Sequence, residues 1–157
     1  MLSFEQFEPL VEDAERVKEQ TARDPDKTLR QNAEKAFNQI FIAQRHALLA
    51  QRKLFEAGMA RTYAEQLSAE PGRGRLAERE RVRAATLEQQ ARNHQRASEE
   101  MQQAGDQMES EALVMLQRKS QQQLPPQSPP PATTAPAEPQ VRHRHRDPPA
   151  APAEGDK

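Results

Sequence analysis

Apolar positions recur at helical spacing through most of this chain and stop near residue 124. Between residues 3 and 24, Phe7, Leu10, Ala14, Val17 and Thr21 alternate at intervals of three and four, with Phe4 and Val11 beside them. That pattern puts a single apolar stripe on a first helix. Ser3 is placed to cap it, with Gln6 completing a capping box. Pro9 lies inside the pattern and either kinks the helix or moves its start to about residue 8. Asp24-Pro25 breaks the run, because a residue before proline avoids helical dihedrals. Asp26 then caps a second helix that extends to about Ala69. "SAEPGRGR" ends it, since Pro71, Gly72 and Gly74 are the strong turn formers between residues 26 and 122. A third helix is expected from about Arg75 to Gln122, broken only by the isolated Gly105.

The stretch "ALLAQRKLFEAGMA", residues 47–60, fills its inner side largely with alanine. On a helical projection from Ile40, Ala36, Ala43, Ala47 and Ala50 lie with Leu54 on one side, and Phe37, Phe41, Leu48 and Phe55 on the other. The apolar arc covers roughly 200°, twice the stripe of about 100° that one packing partner needs. The third helix carries Leu87, His94, Met101, Met108 and Met115 at heptad spacing, with Ala97 and Ala104 between them. Folding the chain back at Gly72 sets Met101 opposite Ala43, Met108 opposite Ala36, Ala104 opposite Ile40 and Leu87 opposite Ala57. Large side chains would then nest against small ones. The Phe side still needs a cover, either from the first helix folding back or from another subunit or partner. Ile42 and Leu49, on the far side, hint at a further contact.

Composition agrees with this outline. Hydrophobic residues make up 34% of the 157, aromatics 4%, and mean hydropathy is -1.05, which argues against a thick globular core. The expected fold is all-α: an N-terminal amphipathic helix at 1–24, a long coiled-coil-like antiparallel hairpin at 26–122 with its turn at 70–74, and a Pro/Ala-rich tail at 123–157. Ten prolines after residue 123 make that tail's expected state disordered. With no cysteine, disulfides, thiolate metal sites and cysteine nucleophiles are excluded. Net charge is only -1, yet the charge is segmented: residues 1–25 carry -4, residues 73–96 carry +4, and residues 99–111 hold five acidic groups and no basic one.

Few residues suggest chemistry. His94 lies on the apolar stripe with no carboxylate or second histidine expected to converge on it, and reads as a packed imidazole, as does His46. His143 and His145 alternate with Arg142, Arg144 and Arg146 in "VRHRHR", where neighbouring guanidinium groups oppose a metal ion. Arg73, Arg75, Arg79, Arg81 and Arg83 cluster at the hairpin turn, the basic patch a nucleic acid would need. Glu78 and Glu80 interleave with them, and no aromatic residue stands nearby to stack a base. "PGRGR" lacks the strand and Lys-Ser/Thr of a phosphate-binding loop. "PQSP" and "PAEP" in the tail match the spacing that polyproline-binding domains read. No catalytic, cofactor-binding or metal-ligating set can be assembled, and two long helices offer little concavity for a small-molecule substrate.

In length and hairpin form the chain resembles the stalk proteins that sit in the ATPase ring of flagellar and type III export systems. Substrates of the type VII pathway are also helical hairpins, but "AEPGRGR" lacks their Trp-x-Gly turn. No diagnostic motif of either group is present, so no family follows. The expectation is a non-enzymatic structural or adaptor protein acting by helix-mediated assembly with itself or a larger complex, in the manner of a bacterial secretion-associated stalk or chaperone. Phe37, Phe41, Leu48, Phe55, Ile42 and Leu49 are the candidate partner-binding residues. A nucleic-acid accessory role, through the Arg-rich turn and the "RHRHR" tail, is the less favoured alternative. No run approaches 18 apolar residues and "MLSFEQFEPL" lacks the features of an export signal. A cytoplasmic location is therefore expected, unless a dedicated machine exports the chain without a cleaved signal.

Overall fold

The computed structural model describes residues 1–125. A single 3-10 turn, Glu5–Phe7, leads into three helices: α1 (Glu8–Thr21), α2 (Lys27–Ser68) and α3 (Gly74–Gln123). The fold is the all-helical antiparallel hairpin expected from the periodicity, with α2 and α3 packed along their length and α1 laid mainly on α2. Of the expected tail, Gln123 closes α3, and residues 126–157, with Arg142, His143, Arg144, His145 and Arg146, lie outside the described residues.

Local sequence sets the helix boundaries. The Ser3 N–H donates to Gln6 Oε1 at 2.8 Å and the Gln6 N–H to Ser3 Oγ at 3.4 Å, which is the expected capping box. Pro9 sits in the first turn of α1, where its missing N–H has no intrahelical partner to lose, so the helix starts at Glu8 without a kink. Asp26 caps α2 by accepting from the N–H groups of Thr28 and Leu29. At the hairpin turn Gly72 takes φ +80°, a left-handed conformation that glycine adopts without strain. Lys119 forms ion pairs with Asp24 and Asp26, and Arg30 donates to the Asp24 carbonyl. The α1–α2 connection is thus fixed to the C-terminal half of α3.

The seam departs from the expected large-on-small layers. On α2 the buried positions Ala36, Ala43, Ala50, Ala57 and Ala64 recur every seven residues. On α3 the buried row at the same interval is Ala77, Ala84, Ala91, Ser98, Gly105 and Ala112. Met101, Met108 and Met115 are only half-buried and flank this row; Met101 packs at the margin of the cluster that contains Ala43. Small side chains therefore meet small ones. The two backbones come so close that the Ser98 hydroxyl reaches across to donate to the Ala43 carbonyl at 2.8 Å. Ser98 stands where Met101 was expected, one helical turn along α3, because a thioether between the backbones would hold them apart.

Gly105 shows the same constraint, and α3 runs through it unbroken. A Cβ at that position would lie 2.6 Å from Ile40 Cγ1 and 3.3 Å from the Ala36 carbonyl oxygen. Glycine interrupts helices through entropy, about 1 kcal/mol relative to alanine, and here the close approach of α2 outweighs that cost.

α1 covers only the half of α2 nearest the Ala22–Asp26 connection. Phe7 and Ala14 pack on Ile40, Ala43 and Ala47, while Val17 packs with Leu29, Ala33 and Ala112. Gln44 Nε2 donates to the Phe4 carbonyl at 3.4 Å, so the N-terminal end of α1 lies beside the middle of α2. Among the described residues, three helices pack together on that side and only α2 and α3 continue toward Gly72. No helix of the described residues is long and apolar enough to cross a membrane.

Gly105→Ala should lower the free energy of unfolding by about 1–2 kcal/mol, since the overpacking penalty exceeds the gain in helix propensity. Phe7→Ala should cost about 3 kcal/mol. It should also release α1, seen as rapid proteolysis before residue 27 while the hairpin retains its helical circular dichroism.

Candidate interaction surface

The end of α1 decides which apolar residues of α2 see solvent. Ala33, Ile40 and Ala47 form a row at intervals of seven and are buried under or beside α1. Leu54, the next member of that row, lies past the N-terminal end of α1 and is 45% exposed. Around it Phe55 is 70%, Met59 60% and Tyr63 50% exposed. With Gly58, Thr62 and Gln66 these residues line an open groove of about 670 Å³. Leu76 and Val82 add exposed apolar surface on α3, and Tyr63 and Leu76 share a second groove with Arg79, Glu80 and Arg83.

Gly58 sits at the centre of the first groove. No atom lies within 4 Å of the position a Cβ would take there. Unlike Gly105, it is not required by any intramolecular packing, although a helix-interior glycine costs about 1 kcal/mol relative to alanine.

The six apolar residues expected to bind a partner divide between two environments. Phe37 is half-buried, packed on the α1 cluster, its ring stacked on Phe41 at 6.0 Å between centroids and covered by Lys18 Nζ at 4.6 Å. Leu48 is also half-buried. Phe41, Ile42, Leu49 and Phe55 are exposed. Periodicity missed Met59 and Tyr63 as surface apolar residues and placed Leu54 in the alanine seam. The signal that could have found Leu54 was the Ile40–Ala47–Leu54 spacing together with the short length of α1.

Arg73 pairs with Glu70 within the hairpin connection, and Arg81 with Glu78 and Arg83 with Glu80 each across one turn of α3. Arg61 pairs with Glu88 across the hairpin. Arg75 and Arg79 are in no ion pair formed among the described residues. Most of the basic patch is thus neutralised locally, and such exposed pairs contribute little to stability.

A second histidine does converge on His94, against the expectation. His46 Nδ1 lies 2.9 Å from His94 Nδ1, with ring centroids 5.2 Å apart and planes inclined by 32°. That centroid separation is near the largest a 2.9 Å contact allows. The two nitrogens therefore point at each other as hydrogen-bond donor and acceptor, not jointly at a metal ion. Helical spacing within one strand of the hairpin could not reveal a pair formed between strands. Burial first, then the neighbouring His46 and Lys53, hold the His94 imidazole below its ordinary value of 6.5. Lower down, burial raises Asp106, and burial with Asp106 and Asp13 nearby raises Glu109.

No protein-family model matches the chain, and neither a curated protein nor a solved structure shows significant similarity to it.

The His94 shift makes stability pH-dependent with a definite sign. Its folded-state value is depressed, so the unfolded chain binds the extra proton, and this contribution is present above pH 6.5 and lost as pH falls from there through the depressed folded-state value. Urea midpoints should decline between neutral pH and about pH 5.5, and His94→Gln should flatten that decline. Asp106 and Glu109 act in the opposite sense at lower pH: their raised values mean that protonation relieves a folded-state penalty.

Proposed function

We propose that the protein is a non-enzymatic structural or adaptor component that acts by helix-mediated assembly, with its own kind or within a larger complex. The observation that carries this reading is the apolar row of α2 continuing past the end of α1 into solvent as Leu54, Phe55, Met59 and Tyr63. Scattered exposed apolar residues are ordinary on protein surfaces, whereas a contiguous aromatic- and Met-rich groove characterises binding faces. Its lining of Leu, Phe, Met, Tyr and Thr is suited to packing against a helix and offers no acid, base or nucleophile pair in mutual reach. A thin, long hairpin stiffened along an alanine seam also suits a stalk or spacer, and a secretion-associated stalk or chaperone-like component is the class of partner-dependent protein this outline fits best.

The nucleic-acid alternative rests on Arg75 and Arg79 alone among the described turn residues, the other three arginines being engaged with glutamates. A salt-sensitive gel shift would be its signature.

Light scattering on the full chain, paired with affinity capture, tests the assembly reading. The wild type should elute above its monomer mass or retain a specific partner. Phe55→Glu with Met59→Glu should abolish that association, weakening it by about a hundredfold or more, while leaving helicity unchanged. A fully helical wild type that stays monomeric and captures nothing would end the reading.

A further inference from the structure

Three observations around Gly58 point to one occupant for the groove of α2. The first is continuity: the groove takes up the rows that seat α1, with Leu54 following Ile40 and Ala47, and Phe55 following Phe41 and Leu48. A surface that already accepts a helix lying antiparallel to α2 runs on for about 18 Å from Leu54 to Gln66 with no helix of the described residues upon it. The second is the notch. Space is open above Gly58, and the residues four before and four after it are Leu54 and Thr62, so large and small side chains stand symmetrically about it. The third is charge. Arg52 lies six residues before Gly58 and Glu65 seven after, and neither is in an ion pair formed among the described residues.

We propose that this face of α2 is the contact surface of a homodimer, in which the same stretch of a second copy lies antiparallel across it with the two Gly58 residues at the twofold axis. The proposal rests on the assembly reading and names its partner. Under that symmetry the surface is complementary to itself. Leu54 of one copy meets Thr62 of the other, large against small, on both sides of the axis. Glycine at the crossing lets the backbones approach, as Gly105 already does between α2 and α3. Arg52 of one copy is brought to the level of Glu65 of the other, whereas a parallel arrangement would align arginine with arginine and glutamate with glutamate. Apolar burial by Leu54, Phe55 and Met59 supplies the affinity, and the charged ends select the orientation. The hairpin, two helices thick beyond α1, becomes four helices thick there.

Full-length protein is compared by sedimentation across the micromolar range. The wild type should be dimeric. Gly58→Leu fills the notch and should weaken the dimer by about tenfold or more while helicity is kept or increased. The chain has no cysteine, so Gly58→Cys should yield a disulfide-linked dimer on mild oxidation, and Gln89→Cys on the exposed side of α3 should not. Arg52→Glu or Glu65→Arg alone should weaken association, and the two together should restore it. A wild type monomeric throughout this range, or a dimer indifferent to Gly58→Leu and not cross-linked through Gly58→Cys, would overturn the homodimer. If a monomeric wild type still holds a partner that the Phe55→Glu and Met59→Glu variant loses, only the homodimer fails. If it holds none, the assembly reading fails with it.

Discussion

The distance at which α2 and α3 run beside each other governs the rest of the molecule. Rows of alanine, serine and glycine at intervals of seven keep the backbones near enough for Ser98 to bond the Ala43 carbonyl and for Gly105 to touch Ile40. Such a seam gains little per layer, since each buried methyl contributes about 0.8 kcal/mol against 1.5–3 kcal/mol for a large apolar side chain. Stability has to accumulate over length, and both helices are long: 42 and 50 residues. The seam also displaces bulk. Methionines that could have filled a wider core are pushed to the flanks, and Phe37, Phe41, Leu54, Phe55, Met59 and Tyr63 of α2 are left partly or largely outside the seam.

On one half of the hairpin the third side is α1. Phe7, fully buried, reaches Ile40 and Ala47 and joins the three helices into one core, and Lys119 ties the α1–α2 connection down at its other end. On the other half none of the described residues takes the place of α1. The functional reading follows from this asymmetry. The doubly covered half is the more rigidly packed, and the surface proposed to bind lies on the half where the same apolar pattern continues uncovered by the described residues.

Electrostatics refine this arrangement without creating it. The glutamates near Gly72 pair with three of the five arginines there, two within α3 and one in the hairpin connection, so much of that segment's positive charge is met locally. In the seam, the His46–His94 contact places two imidazoles nitrogen to nitrogen in a partly buried layer, where added positive charge is unwelcome.

Helix boundaries and the reversal at Gly72 were legible in the sequence because they depend on local chemistry: the Ser3–Gln6 box, the Asp26 cap, proline in a first turn and glycine with positive φ. The hairpin itself followed from an apolar period that persists on both sides of a single strong turn. What the sequence could not decide was which of two heptad rows on α3 faces α2. Methionines and small residues repeat at the same interval there, and only the energy of bringing two backbones together chooses the small row. Nor could it show that His46 and His94 meet, since they lie on different helices, or that Leu54 is exposed, since that depends on where α1 ends in space. Pattern along a chain specifies which face of a helix is apolar; the neighbour that covers it, and how far that cover extends, is settled by packing in three dimensions.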